Sequence, residues 1–179
     1  MNNNDDTGLI QAVEKGDHGA FATLVRQYEK PIYNVVYRML HDREEARDVT
    51  QTVFLKTFEN LHKYDPERKF FSWLCRIAIN EAIDSQGRTR PSTEYEEQHS
   101  PEQASPGDDL QRQELHDGLE GALMTLNTDY RSVLVLKHIV GMNYHDISLA
   151  LEVSEKTVKS RLFSARQKLA GKMKKEAYL

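Results

Sequence analysis

Residues 155–175 combine basic side chains with polar and aromatic ones at helical spacing. Val158, Leu162, Ala165 and Leu169 recur on one side of a helix, which predicts a buried stripe. At 100° per residue the opposite side carries a mixed row with cations on both flanks: Lys156, Lys159, Ser160, Arg161, Phe163, Arg166, Gln167 and Lys168. A recognition helix in a DNA major groove needs such side chains, some for base edges and others for phosphates.

A second predicted helix and a short turn precede this one. Its apolar side consists of Ile147, Ala150 and Leu151. Ser154 can cap the following helix, and Glu155 lies in its first turn, where a carboxylate suits the positive end of the dipole. Residues 141–170 therefore predict a helix-turn-helix that binds DNA. An ordinary amphipathic terminal helix is the alternative for the basic segment alone.

The charge of the chain is distributed unevenly. The net charge is −4, yet residues 155–175 hold eight Lys and Arg against one Glu. Residues 91–110 hold six acidic residues and no Lys or Arg. Local fields, rather than the net charge, therefore decide where a polyanion docks.

Helical periodicity dominates both parts of the chain. One long helix is predicted from Phe21 to Met39, with a kink at Pro31, and two more run from about Ala46 to Leu61 and from Phe71 to Ser85. Turn-forming residues then break the pattern: Gly87, Pro91, Pro101 and Pro106. We expect an all-α protein with two small helical domains, residues 8–90 and 110–175, joined by a flexible acidic linker, residues 91–109.

The third of these helices follows a basic loop and combines aromatic rings, cations and an asparagine. Aromatic faces stack on unpaired bases, while Arg and Lys hold the sugar-phosphate track. Core packing is the alternative for the aromatics, and for Trp73 alone it is the favoured one. Arg76 and Asn80 lie four residues apart on one face, which favours single-strand binding.

Three motifs resemble those of bacterial sigma factors of the extracytoplasmic-function (ECF) group, over about residues 15–172. They are Asp48-x-x-Gln51-x-x-Phe54, Phe71-x-Trp73-Leu74-x-Arg76-Ile77-Ala78-x-Asn80, and Thr157-Val158-Lys159-Ser160-Arg161 before Ala165-Arg166. The resemblance implies that the N-terminal domain binds core RNA polymerase and opens the minus-ten promoter element. It implies that the C-terminal domain reads the minus-thirty-five element. It also implies that the protein has no enzymatic activity of its own.

The same resemblance assigns three sets of contact residues. Polymerase binding is assigned to Asp48, Gln51, Thr52 and Phe54. Minus-ten DNA is assigned to Lys63, Tyr64, Arg68, Lys69, Phe71, Trp73, Arg76, Asn80, Arg88 and Arg90. Minus-thirty-five DNA is assigned to Lys156, Thr157, Lys159, Ser160, Arg161, Phe163 and Arg166.

The polymerase-binding segment departs from the family pattern at two positions. Arg47 and Thr52 stand where the family carries carboxylates, and the polymerase surface they meet is basic in the family. A phosphate on threonine supplies about −1.5 to −2 charges. We therefore expect a Ser/Thr kinase to switch on polymerase binding by phosphorylating Thr52, with Thr50 as the second candidate. The alternative is ordinary sequence drift at a tolerant surface position, with regulation by a sequestering anti-sigma factor.

Few residues support assignment to a disulfide-bonded, membrane, metal-binding or catalytic class of protein. The single cysteine, Cys75, excludes an internal disulfide and fits a reducing compartment. No segment is apolar enough to enter a membrane, and the polar N-terminus is not a signal peptide, so we expect a cytoplasmic protein. The histidines lack zinc-type spacing, and no glycine-rich loop could cradle phosphates. We expect no catalytic residues, no cofactor and no metal.

The remaining alternative is a conventional helix-turn-helix regulator. Such a protein would bind a palindromic operator as a dimer, without becoming a polymerase subunit. A sigma factor is expected to be a monomer when free, to bind promoter DNA weakly alone, and to initiate transcription only with core polymerase.

Overall fold

The computed structural model describes residues 3–89 and 118–176, and every regular element within them is helical. The N-terminal module contains α1 (Asn3–Glu14), α2 (His18–Leu40), α3 (Arg43–Glu59), a 3₁₀ turn (Leu61–Lys63) and α4 (Phe70–Thr89). The C-terminal module contains α5 (118–124), α6 (Thr128–Leu134) with a π-helical turn (Val135–Ile139), α7 (Tyr144–Leu151) and α8 (Glu155–Glu176). The all-α prediction is confirmed. The predicted linker, residues 91–109, and Arg90 lie outside the described residues.

Short polar side chains fix the first turns of the two helices that carry candidate sites. The Asp42 carboxylate accepts a hydrogen bond from the Glu45 backbone N–H at 2.8 Å, which caps α3. The Ser154 hydroxyl accepts one from the Thr157 N–H at 3.1 Å, so the predicted cap of α8 is confirmed. Because each cap satisfies a donor that the helix itself leaves unpaired, α3 and α8 begin at defined residues.

The N-terminal module is built around α2, which packs against α1, α3 and α4. α2 continues through Pro31, and Tyr28 and Ile32 on either side of that residue are fully buried. Helix α1 is an addition to the predicted helices. Its Ile10 and Val13 are buried, and its buried Asp6 accepts a 2.6 Å hydrogen bond from the Tyr28 hydroxyl.

The Tyr28–Asp6 contact predicts an alkaline limit to stability. Burial and the Asp6 carboxylate raise the pKa of Tyr28 above its usual range, and burial raises the pKa of Tyr64 to about 12. Because an unfolded tyrosine ionises near pH 10, stability should be intact below about pH 10 and fall as the pH rises further. Tyr28→Phe should cost about 1–3 kcal/mol at pH 7, since it removes the hydroxyl donor from the buried Asp6, and should weaken the alkaline fall. Urea unfolding at pH 7 and 10.5 measures both effects.

Tyr33→Phe is the matched control, because Tyr33 is half-buried and stacks on Tyr37 through its ring alone. It should change the free energy of unfolding by less than about 0.5 kcal/mol. Equal losses in the two variants would contradict the role of the Tyr28 hydroxyl.

Candidate nucleic-acid and polymerase interfaces

Helix α8 presents one face to the core and a mixed cationic and aromatic face to solvent. Val158, Leu162 and Ala165 are buried, which confirms the predicted stripe. On the opposite side, the Phe163 side chain is 64% exposed. Its exposed neighbours are Lys156, Lys159, Ser160 and Arg166. Thr157 and Arg161 are half-buried. This exposed face, with Phe163 at its centre, is the shape that a DNA groove requires of a reading helix.

Neighbouring residues hold several of these cations in position. The Lys159 ammonium lies 5.6 Å from the centre of the Tyr144 ring, and Arg161 forms an ion pair of 2.7 Å with Asp129. Arg166 lies 3.1 Å from the His138 ring nitrogen. Burial, Arg166 and Lys137 lower the pKa of His138, so the neutral ring can accept a hydrogen bond from the Arg166 guanidinium. Because these side chains are already ordered, less conformational entropy is lost when they bind phosphate.

The aromatic residues assigned to minus-ten DNA pack inside the N-terminal module. Trp73 is only 9% exposed and lies 5.5 Å from the Tyr64 ring, and Tyr64 is buried as well. Phe71 is half-buried and stacks on Tyr28 at 5.4 Å. In this conformation the rings are core residues, the alternative already favoured for Trp73. An unpaired base could reach them only after these contacts rearrange.

The cations of the same surface are largely engaged. Lys63 donates to the Asn60 side chain at 2.8 Å, and Arg68 pairs with Asp65 at 3.2 Å. Asn80 is exposed. Two other cations pair with the C-terminal module: Lys69 with Asp146 at 2.7 Å, and Arg76 with Glu152 at 2.6 Å.

The outer face of α3 is the candidate polymerase surface. Asp48 and Gln51 are exposed, and Thr52 is half-exposed. The assignment of Phe54 does not fit this face, because Phe54 is 8% exposed and belongs to the core. Two apolar side chains that the sequence analysis missed stand out instead: Leu55, 65% exposed, and Phe58, 42% exposed. They lie four and seven residues after Gln51, which is one and two helical turns, and this spacing was the signal that could have identified them.

A groove of about 460 Å³ lies between α3 and α4, beside Thr52. It is lined by Asp42, Glu44, Glu45, Asp48, Val49, Thr52, Ser85 and Arg88. The Thr52 hydroxyl donates to the Asp48 carbonyl at 3.0 Å. The other candidate, Thr50, is 4% exposed and donates to the Ala46 carbonyl at 2.6 Å, so a kinase cannot reach it in this conformation.

A buried arginine also joins the two modules. The Arg131 guanidinium donates to the carbonyls of Leu123, Met124 and Leu126, at 3.2, 2.8 and 2.9 Å, within its own module. It also donates to the Met39 carbonyl at the end of α2. The C-terminal module is thus attached to α2 by hydrogen bonds, and to α4 by the ion pairs of Lys69 and Arg76.

Comparison with known proteins decides the family. Sigma-70 region 2 matches residues 24–90, and sigma-70 region 4 matches residues 116–169. The ECF RNA polymerase sigma factor SigW of Bacillus subtilis is 34% identical over 89% of this chain and 92% of its own. RNA polymerase sigma-H factor of Pseudomonas aeruginosa is 32% identical over 90% of both chains. The chain belongs to the ECF group of the sigma-70 family.

Two solved structures share the fold of this ECF sigma factor. CnrH, in complex with the cytosolic domain of CnrY, is 28% identical, with a TM-score of 0.73 over 95% of this chain and 97% of its own. RpoE of Bartonella quintana, in complex with the anti-sigma factor NepR, is 23% identical, with a TM-score of 0.68 over 86% of this chain and 96% of its own. The coverage of the CnrH match includes both modules.

The described part of this ECF sigma factor shows no reactive thiol, no metal-binding cluster and no membrane-spanning helix. Cys75 is buried, and burial raises the pKa of its thiol, which keeps it protonated and unreactive. Residues 3–89 and 118–176 contain no cluster of three metal-ligating side chains. Within the same ranges, no helix has the length and apolar character needed to span a membrane.

Proposed function

We propose that this ECF sigma factor binds core RNA polymerase through the exposed face of α3, directs promoter-specific initiation in the cytoplasm, and is switched on by phosphorylation of Thr52. The observation that supports polymerase docking most strongly is the exposure of Leu55 and Phe58. Leu55 is 65% exposed, and Phe58 remains 42% exposed although its ring packs edge-on against Phe21 at 5.0 Å. Large apolar side chains that face solvent on neighbouring turns often mark a protein-binding surface, and the exposed Asp48 lies on the same helix. An apolar centre with a charged rim is the usual composition of a protein interface.

Substitution of Leu55 tests this docking surface. Leu55→Asp should weaken the binding of core polymerase at least tenfold, because a charge would replace an apolar anchor at the centre of the contact. Biolayer interferometry with purified core enzyme, in a Thr52→Glu background, measures the dissociation constant. Ile83→Asp on α4 is the matched control, since Ile83 is also an exposed aliphatic residue. Equal affinities for the Leu55 and Ile83 variants would reject α3 as the docking face.

The phosphorylation proposal rests on where the two threonines lie. Thr52 is half-exposed at the edge of the α3–α4 groove, whereas Thr50 is buried, so the proposal is confined to Thr52. A phosphate there would add negative charge next to Asp48, on a face that lost a family carboxylate at Arg47. The nearby Lys56 is already paired with the buried Glu81, so it does not offset the added charge.

Control by an anti-sigma partner is the alternative to the kinase. RpoE of Bartonella quintana, which shares the fold, was solved with such a partner. The two forms of control differ in one observable: an anti-sigma factor would act on the Thr52→Ala variant as on the wild type, whereas a kinase would not.

The C-terminal module is proposed to bind the minus-thirty-five element through α8. Lys159 is assigned to phosphate, because its ammonium is exposed beside Tyr144. Lys159→Ala should therefore weaken binding to all duplex sequences alike, and should make the salt slope shallower by about 0.9. Fluorescence anisotropy with specific and scrambled duplexes between 50 and 200 mM KCl (roughly the range over which phosphate contacts dominate) measures both. A sequence-selective loss with an unchanged slope would contradict the phosphate role.

A further inference from the structure

The π-helical turn after α6 places a histidine beside the exposed face of α8. His138 and Ile139 on this turn are both exposed. The Nε2 atom of His138 lies 3.1 Å from Nη2 of Arg166, which belongs to the exposed face proposed to bind DNA. Single π-helical turns within helices occur frequently at functional sites. His138 therefore lies at the edge of the proposed DNA surface, although it is not on α8 itself.

The charged groups that act on the His138 ring are both cationic. Partial burial, Arg166 of α8 and Lys137 of the same turn lower the pKa of the ring. Helices α2 and α7 also pack against this turn. Tyr144 of α7 lies with its ring centre 5.0 Å from the Lys137 ammonium, and within residues 3–89 and 118–176 neither helix pairs a carboxylate with His138. The ring is consequently neutral at about pH 7.5.

We propose that His138 and Arg166 together bind one DNA phosphate, and that His138 takes up a proton when that phosphate arrives. The proposal rests on the proposed binding of duplex DNA by α8. In the free protein the neutral ring accepts a hydrogen bond from the Arg166 guanidinium. A phosphate between the two side chains accepts hydrogen bonds from both, and its negative charge stabilises the protonated ring that Arg166 alone disfavours. The proton comes from the solvent.

The position of Arg166 favours a DNA phosphate over an acidic protein surface as the anion. Arg166 lies on the same exposed face of α8 as Lys159 and Phe163. When the central side chains of such a face enter a DNA groove, the cations at its flanks meet the phosphates of the groove walls. His138 is next to one of these flanking cations, so the same strand comes within its reach.

The direction of the pH dependence follows from these contacts. The free protein disfavours the charged ring and the complex stabilises it, so the pKa of His138 is higher in the complex. The affinity for DNA should therefore rise as the pH falls through the interval between the two pKa values. At a higher pH the ring is neutral in both states and adds nothing. The extra cation should also steepen the salt dependence, by up to about 0.9 in slope.

Binding of duplex DNA at two pH values tests the proposal. The full chain is titrated into a fluorescein-labelled duplex of random sequence at low salt, at about pH 7.5 and 5.5, a range over which histidine changes its charge. A random duplex serves because phosphate contacts do not depend on sequence. Between these two values the wild type should gain about tenfold more affinity than His138→Gln, which corresponds to a change of about one unit in pKa. Glutamine can still accept a hydrogen bond from Arg166, but it cannot carry the charge.

A permanent cation at position 138 should reproduce the protonated state. His138→Arg should bind the duplex at the higher pH about as tightly as the wild type does at the lower one, and its affinity should change less with pH. His18→Gln is the matched control, because His18 is another exposed histidine whose ring contacts Phe58 in the N-terminal module. It should keep the pH profile of the wild type. Calorimetry in two buffers of different ionisation enthalpy counts the protons taken up, and His138→Gln should take up fewer.

The outcomes separate this proposal from the proposed function of α8. Identical pH profiles and proton counts for the wild type and His138→Gln would overturn the proton uptake, while salt-dependent binding that weakens in Lys159→Ala would still support α8. If the wild type shows no salt-dependent binding of any duplex, the DNA role of α8 fails and this contact fails with it. An effect of His138→Gln on the binding of core polymerase, without one on DNA, would assign the cluster to an acidic protein surface and overturn the proposal.

Discussion

Thr52→Ala should abolish the gain in polymerase affinity that kinase treatment gives to the wild type, and Thr52→Glu should supply part of that gain without any kinase. A phosphate carries about −1.5 to −2 charges and can form one to three charge-assisted hydrogen bonds. Each such bond contributes roughly 1.5–3 kcal/mol, so the phosphorylated protein should bind core polymerase at least tenfold more tightly. A glutamate has one charge and two acceptor oxygens, and about a threefold gain is expected from it.

The matched control is Thr23→Glu. Thr23 is half-exposed on α2, and its hydroxyl donates to the Gly19 carbonyl four residues earlier, at 3.0 Å, just as Thr52 donates to Asp48. The two substitutions therefore add the same charge in the same helical geometry on different faces, and at position 23 the guanidinium of Arg26, which donates to the Thr23 hydroxyl at 2.9 Å, lies beside it. If both Thr52 variants bind polymerase as the wild type does, before and after kinase treatment, the switch is excluded and an anti-sigma partner becomes the preferred form of control.

Arg131→Met should produce the largest loss of stability of any single substitution considered for this protein. Arg131 is buried and donates to carbonyls of its own module and to Met39 at the end of α2. Methionine fills a similar volume without a donor, so the Met124 and Leu126 carbonyls would lose this partner, whereas the Met39 and Leu123 carbonyls keep donors from Gln86 and from the Leu126 N–H. Each unsatisfied group costs about 1–3 kcal/mol, and with two such groups we expect a total loss of about 2–5 kcal/mol. That is a large part of the stability of an ordinary domain.

Urea unfolding, followed by circular dichroism, measures this loss. Arg161→Met is the control, because Arg161 is half-buried and has one exposed partner, Asp129. It should cost less than about 1 kcal/mol. Equal losses for the two arginines would show that the carbonyl contacts of Arg131 do not stabilise the fold.

Local patterns in the sequence predicted much of each module. The stripe of Val158, Leu162 and Ala165 and the Ser154 cap follow from helical periodicity and from the chemistry of one side chain, and both are confirmed. Helix α1 was missed because it offers only two clearly buried apolar residues, and Asp6 faces the core through a partner on another helix. The burial of Phe54 did not follow from periodicity, because α3 packs against both α2 and α4, and two partners bury more of its circumference than one stripe.

Contacts between the modules could not be predicted from periodicity. The Lys69–Asp146 and Arg76–Glu152 pairs join residues more than 70 positions apart, and each charge alone looks like an ordinary solvated side chain. Arg131 is similar: its burial depends on carbonyls from two separate segments, the end of α2 and residues 124–126. Such arrangements depend on how whole helices pack, which spacing within one helix does not specify.

Run-off transcription with purified core RNA polymerase and a library of promoter fragments is the decisive experiment. The Thr52-phosphorylated protein should form a stable complex with core enzyme and give transcripts from one promoter class, and neither component should do so alone. A protein that never joins the polymerase, phosphorylated or not, and that binds a palindromic duplex as a dimer would be a conventional regulator instead of a sigma factor.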